Sequence, residues 1–264
     1  MLVREVQRLT SEVKRLRARV EAFEKSRWWR LHPRFLVRRT RPARTEPVSG
    51  PAIPVATGEA DLLACRFREE VVERGTFTHD WFLHQIGPWE PLFRELEGCS
   101  ARLLEIGSFE GFSACYMLWR LPDAQLTCID TFAGSVEHAV SDTDLATLEE
   151  VFMRNVTMVD ASRVRTMVDD SRRALLDLAA EEQRCDLVYV DGSHLGLDVL
   201  VDTALAWRLV TDGGFLVWDD YGWKGLGEDA LLRPGPAIDA FLGLVEGKYE
   251  LLRRDVQVAV RKVG

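Results

Sequence analysis

Arg102-Leu-Leu-Glu-Ile-Gly-Ser-Phe-Glu-Gly-Phe-Ser113 is the stretch that organises the chain. Arg102–Ile106 is a short apolar strand with one carboxylate, Glu105, near its end. Gly107 and Gly111 bracket a tight turn, and an apolar helix follows over Ala114–Arg120. Glycines at such a turn let the backbone come close to a ligand, and the helix N-terminus offers free N–H groups. Strand, glycine turn and helix in that order predict a nucleotide-like ligand at the turn.

Downstream, strands and helices alternate. Strands are predicted at Leu126–Asp130, Arg163–Val168, Cys185–Asp191 and Gly214–Asp219, with helices over 143–156, 172–182, 197–209 and 237–245. Tyr249–Arg254 and Val256–Arg261 close the chain as an antiparallel hairpin around Asp255. This alternation predicts an α/β fold, Rossmann-like and doubly wound, with a mostly parallel seven-stranded sheet. Upstream, residues 61–100 read as a helical cover. In it, His79, Trp81, His84 and Trp89 either wall a pocket or pack the sheet edge.

The ends of the chain differ in character. Of the 34 Lys/Arg and 42 Asp/Glu, residues 1–47 hold 14 and 5, leaving 20 and 37 for the rest. An acidic body argues against nucleic acid as a partner. Leu2, Val6, Leu9, Val13, Leu16, Val20 and Phe23 alternate by four and three residues, a heptad seam with Val at a and Leu or Phe at d. That pattern over 1–24 predicts a coiled-coil helix, with a homodimer or higher homo-oligomer formed through residues 2–23. Residues 25–44 carry eight basic side chains, no acidic ones, and Trp28, Trp29 and Phe35. Such a stretch is either a solvated linker or a peripheral contact with an anionic membrane. With the Pro-rich run that follows, residues 25–60 form the linker, and residues 61–264 the main domain. Five scattered cysteines without zinc-like spacing, and no apolar run of membrane-spanning length, lead us to expect reduced thiols in a cytoplasmic protein.

In open α/β sheets ligands bind beyond the carboxyl ends of the strands. Here those ends read Glu105–Gly111, Asp130, Asp169-Asp170-Ser171, Asp191-Gly-Ser-His194 and Asp219-Asp220. A carboxylate at every strand end is not what a core alone predicts. A dinucleotide turn wants Gly-x-Gly-x-x-Gly, but Phe109 stands where its middle glycine would be. Glu105 would repel a phosphate and attract a sulfonium or an ammonium, so S-adenosylmethionine fits the turn. Asp130 would accept from ribose hydroxyls with either ligand.

Glu105–Ser113 resembles motif I of class I S-adenosylmethionine-dependent methyltransferases, especially catechol O-methyltransferase and its relatives. Tyr189-Val-Asp-Gly-Ser-His194 with Gly213-Gly-Phe-Leu-Val-Trp-Asp-Asp-Tyr221 resembles bacterial sugar O-methyltransferases of the macrocin and mycinamicin type. The resemblance covers about residues 76–262. It implies that Glu105, Gly107 and Ser113 hold the methionine end of the cofactor, with Ser108 and Gly111 in the same turn. It further implies Asp130 for the ribose and Asp170 with Ser171 for the adenine. Asp191, Asp219 and Asp220 match the positions that bind a divalent ion such as Mg²⁺, and His194 matches the general base.

Elementary chemistry agrees with that transfer. A sugar or alcohol hydroxyl is a poor nucleophile at neutral pH, and oxygen ligands select a hard ion that acidifies it. Asp191 and Asp219-Asp220 could instead cap loops, and His194 could order a turn. Residues 131–138, Tyr221, Trp223 and Lys224 are candidates for an acceptor pocket or for lid packing. The expected function is therefore metal-dependent methyl transfer to a hydroxyl of a sugar, glycan or glycosylated natural product. The alternatives are a metal-independent small-molecule methyltransferase and a non-catalytic coiled-coil scaffold.

Overall fold

The computed structural model describes residues 57–134, 145–225 and 229–264, all within one unit, Ser49–Gly264. The heptad seam, the basic stretch and most of the Pro-rich run lie outside the described residues. Two cover helices come first, α1 (Thr57–Glu70) and α2 (Ile86–Leu96). Between them the chain is irregular rather than continuously helical.

The sheet then builds from β1 (Arg102–Ile106), α3 (Phe112–Arg120), β2 (Gln125–Asp130), α4 (Leu148–Val159), β3 (Val164–Val168) and α5 (Ser171–Ala180). It continues through β4 (Cys185–Val190), α6 (Gly196–Leu209), β5 (Val210–Trp218), α7 (Pro234–Leu244), β6 (Tyr249–Arg254) and β7 (Val258–Lys262). Strand order is β3-β2-β1-β4-β5-β7-β6. The first five strands are parallel, and β7 runs antiparallel to both β5 and β6. The expected doubly wound sheet with its terminal hairpin is what the chain adopts.

Alternation along the strands sorts the core into two layers. Leu103, Tyr189, Phe215 and Val217 face the cover, where Trp89, Phe93 and Tyr116 fill the space. Leu104, Ile106, Val188, Val190, Leu216 and Trp218 face the other way, packing with α5, α6 and α7. Trp89 is buried at 2 % exposure, so of the four cover aromatics and histidines it belongs to the core.

Three of the boundaries that differ from expectation have a plain local cause. β5 begins at Val210, four residues before Gly214, because the pairing with β4 carries an irregularity between Cys185 and Leu187 that absorbs the Gly213-Gly214 step. α7 begins at Pro234, since proline is well suited to the first helical turn, where its missing N–H has no partner to lose. β7 starts at Val258, because Asp255–Gln257 are used by the hairpin turn, in which Gln257 N donates to Asp255 Oδ1 at 3.0 Å. Among the described residues no helix is long and apolar enough to cross a membrane.

Candidate active site

A cavity of about 1040 Å³ opens at the carboxyl ends of the parallel strands. These ends are stitched together by main-chain hydrogen bonds. Gly107 N donates to Ile129 O (2.8 Å), Asp191 N to Ile106 O (2.8 Å) and Asp219 N to Val190 O (3.0 Å). The glycine turn and the acidic strand ends are therefore fixed by backbone, in one row. Gly107 has φ +87°, and a Cβ there would press on the Asp191 carbonyl and lie 2.5 Å from Gly192 Cα. Only glycine permits that approach.

Phe109 also takes a left-handed backbone, with φ +48°. It does so without the conformational freedom of a glycine. Such a residue costs of order 1–3 kcal/mol and persists only where its surroundings impose it. Asp130 imposes it here: Oδ2 accepts from Ser108 N (2.7 Å) and Phe109 N (2.8 Å), and Oδ1 accepts from Phe132 N (2.7 Å). Asp130 lines the cavity, as do Gly107, Ser108 and Ser113.

Glu105 and Gly111 are not among the lining residues. Glu105 is fully buried beneath the turn and accepts from Ser108 Oγ and Ser113 Oγ, each at 2.5 Å, and from Cys128 Sγ at 3.6 Å. Burial pushes its carboxyl up from near 4.5 to about 7. Glu105, expected to hold the methionine end of a cofactor, thus lies under the turn and not on the cavity wall. Gly111 (φ +81°) serves as the N-cap of α3 against Phe152.

Asp170 and Ser171 both line the cavity, yet each is already engaged. Asp170 caps α5 and binds the Arg172 guanidinium, with Nε at 2.8 Å and Nη2 at 2.6 Å, which holds its carboxyl down at about 2. Ser171 Oγ donates to Asp202 at 2.7 Å.

At the far end of the row Asp191, His194 and Asp220 offer ligand atoms that all lie within 4.8 Å of one another. His194 Nε2 touches Asp220 Oδ2, and its ring stacks on Trp223 at 4.4 Å. Asp219 was expected to join Asp191 and Asp220, but it stands outside this closest set. Its Oδ1 accepts from Asp220 N at 2.7 Å and its Oδ2 from the Tyr189 hydroxyl, which also meets Asp191 Oδ2 at 3.0 Å. One phenolic proton thus serves two carboxylates. Burial, then the neighbouring carboxylate charges, raise the carboxyls of Asp191 and Asp219. Crowded, desolvated carboxylates that repel one another form a donor set that a divalent cation would relieve.

Residues 104–221 match a family described as a methyltransferase domain. That stretch, a little under half of the chain, resembles a methyltransferase domain. No curated protein matches the sequence. Among solved structures, the MycE methyltransferase of the mycinamycin biosynthetic pathway, in complex with Mg, SAH and mycinamycin VI, is 21 % identical with a TM-score of 0.53. That match covers 77 % of this chain and 54 % of MycE, so the chain spans about half of MycE's length. The O-methyltransferase TomG from Streptomyces achromogenes, in complex with SAM, is 18 % identical over 78 % of this chain and 89 % of TomG, with a TM-score of 0.51. An O-methyltransferase from Bacillus cereus, in complex with SAH, is 17 % identical over 80 % of this chain and 93 % of that one, also with a TM-score of 0.51. At such identities the likeness is one of fold.

The cavity also has walls whose role the sequence left open or did not mark. His79, Trp81 and His84 line it, with His79 stacked on Trp81 at 4.5 Å and Trp81 near Phe109 at 5.5 Å. This wall is anchored to the glycine turn, since Glu110 accepts from Thr78 N (2.7 Å) and Thr78 Oγ1 (3.0 Å). Trp223 lines the cavity, whereas the Tyr221 hydroxyl turns away to Asp239 at 3.0 Å. Of residues 131–138, Thr131 and Gly134 line it, and 135–138 lie outside the described residues. Tyr189 was the findable omission: two residues from Asp191 on one strand, it had to share that face. Asp202, 3 % exposed and pushed up to about 6 by burial, gave a weaker signal as the second of two acids, with Asp198, one turn apart on a helix.

Proposed function

We propose that the protein is an S-adenosylmethionine-dependent O-methyltransferase that uses a divalent ion, Mg²⁺ first, and acts on a hydroxyl of a sugar, glycan or glycosylated natural product. The observation that carries this reading is the convergence of Asp191, His194 and Asp220 within 4.8 Å on the cavity that the glycine turn also lines. In this reading Gly107, Ser108 and Ser113 receive the methionine end, with the Glu105 charge beneath them. Asp130 takes the ribose, Asp170 with Ser171 the adenine, and Asp191, Asp219 and Asp220 the ion. The cofactor supplies a methyl group on a sulfonium, and a divalent ion acidifies a hydroxyl bound to it. His194 takes the hydroxyl proton, with its ring direction fixed by Asp220 and Trp223. The Mg, SAH and mycinamycin VI held by MycE support the assignment by analogy.

Calorimetry with S-adenosylmethionine tests the core of this reading. Binding with a dissociation constant in the micromolar range is expected, and a protein that takes up no heat is a scaffold with a dead pocket. One observation favours a second role for His194. It stands in the closest ligand set, and an imidazole ligand would tilt the site toward later transition ions. We further propose that residues 1–24 dimerise the chain, that 25–60 are a linker and that 25–44 contact an anionic membrane. The heptads and the basic, Trp-bearing stretch support this. A chain starting at residue 61 that remains dimeric would remove the helix from that role.

A further inference from the structure

The antiparallel ladder of β5 and β7 pairs Trp218 with Val258. Carried one residue toward the cavity, the same register sets Asp219 opposite Gln257. Side chains opposite each other on neighbouring strands share a face, with Cβ atoms about 5 Å apart. Gln257 is fully buried, and its side-chain oxygen accepts from the Trp89 indole N–H (2.7 Å) and from Arg253 Nη1 (3.1 Å). Indole and guanidinium are donors only, so the amide cannot be turned over. Arg253 is held in turn by Gln85 Oε1 (3.0 Å) and Asp255 Oδ2 (2.8 Å).

What remains is the amide nitrogen of Gln257, which is buried and has no hydrogen-bond partner. An unsatisfied buried donor costs about 1–3 kcal/mol, so a neighbour that uses it is to be sought. Asp219 is that neighbour. Gln257 lies beyond the matched residues 104–221.

We propose that Gln257 is a positioning residue for the acid centre: its amide N–H donates to the Asp219 carboxylate and holds it turned toward a bound cation. Trp89 and Arg253 fix the amide so that this N–H points only one way. The proposal rests on the reading of Asp219 as a cation ligand. A lost outer partner of a metal ligand costs about 10–100-fold in metal affinity.

The test is Mn²⁺ calorimetry on the full chain for wild type, Gln257→Met, Asp219→Asn and the double variant, with S-adenosylmethionine binding as the folding control. Gln257→Met is expected to weaken Mn²⁺ binding about tenfold or more while cofactor affinity stays at the wild-type value. In the Asp219→Asn background it should add nothing further, because its partner is already altered. Gln257→Asn keeps the amide but shortens its reach, and serves the same measurement if the methionine variant does not fold. Wild-type Mn²⁺ affinity in the variants, or effects that simply add in the double variant, would overturn the proposal alone. Wild-type protein that binds S-adenosylmethionine but no Mn²⁺ would overturn the cation reading and this proposal with it.

Discussion

Replacing His194 by alanine lowers turnover about 10²–10⁴-fold, the usual contribution of a general base. The affinity for S-adenosylmethionine stays at the wild-type level. The ring touches Asp220 and stacks on Trp223, both at the acid end of the row of strand ends. Single-turnover methyl transfer to any acceptor the wild type modifies, read beside calorimetry, separates the possible roles. A base loses rate alone. A ligand loses Mn²⁺ affinity together with rate. A histidine that only orders its loop loses cofactor affinity in equal measure, and that result would end the catalytic assignment.

Glu105→Gln should stabilise the cofactor-free protein above neutral pH. The buried carboxyl of Glu105 is raised from about 4.5 to about 7, with burial as the main cause. Below the lower value it is protonated in both folded and unfolded chains, and its favourable burial is fully present. Between the two values the unfolded chain releases the proton while the folded chain keeps it, so stability falls as pH rises. Above the upper value the loss is complete and amounts to about 3 kcal/mol. Glutamine retains hydrogen bonding to Ser108 and Ser113 without the charge. Denaturant unfolding at pH 5 and pH 8 should therefore show a flatter pH slope and a higher midpoint at pH 8 for the variant. Cofactor affinity should drop, since a negative charge under the methionine end is lost. Identical slopes in the two proteins would sink the argument.

Much of this was visible in the residues because two periodicities agree. Apolar alternation along the strands and apolar faces on the helices each predict the same layered sheet, and acids at five successive strand ends mark one edge. The Phe109 position shows where such reading stops. A phenylalanine there gave no sign of a left-handed backbone, which depends on hydrogen bonds to Asp130, twenty-one residues away. Glu105 shows the same limit in another form. Its place in the motif was legible, but its complete burial depends on Ser108, Ser113 and Cys128 closing over it. Gln257 could not be picked out of the sequence, because its meaning lies in the register of an antiparallel pair.

The row of main-chain bonds from Ile129 through Gly107, Ile106, Asp191, Val190 and Asp219 has a consequence for how such a protein can diversify. The spacing between the glycine turn and the acid centre is written in backbone, and the side chains that border the acceptor space are not part of it. His79, Trp81 and Trp223 sit on the cover and on the loop after β5, where substitutions leave that spacing untouched. In the proposed reading, descendants of this chain can exchange one acceptor for another by altering His79 or Trp81, while inheriting the backbone spacing unchanged.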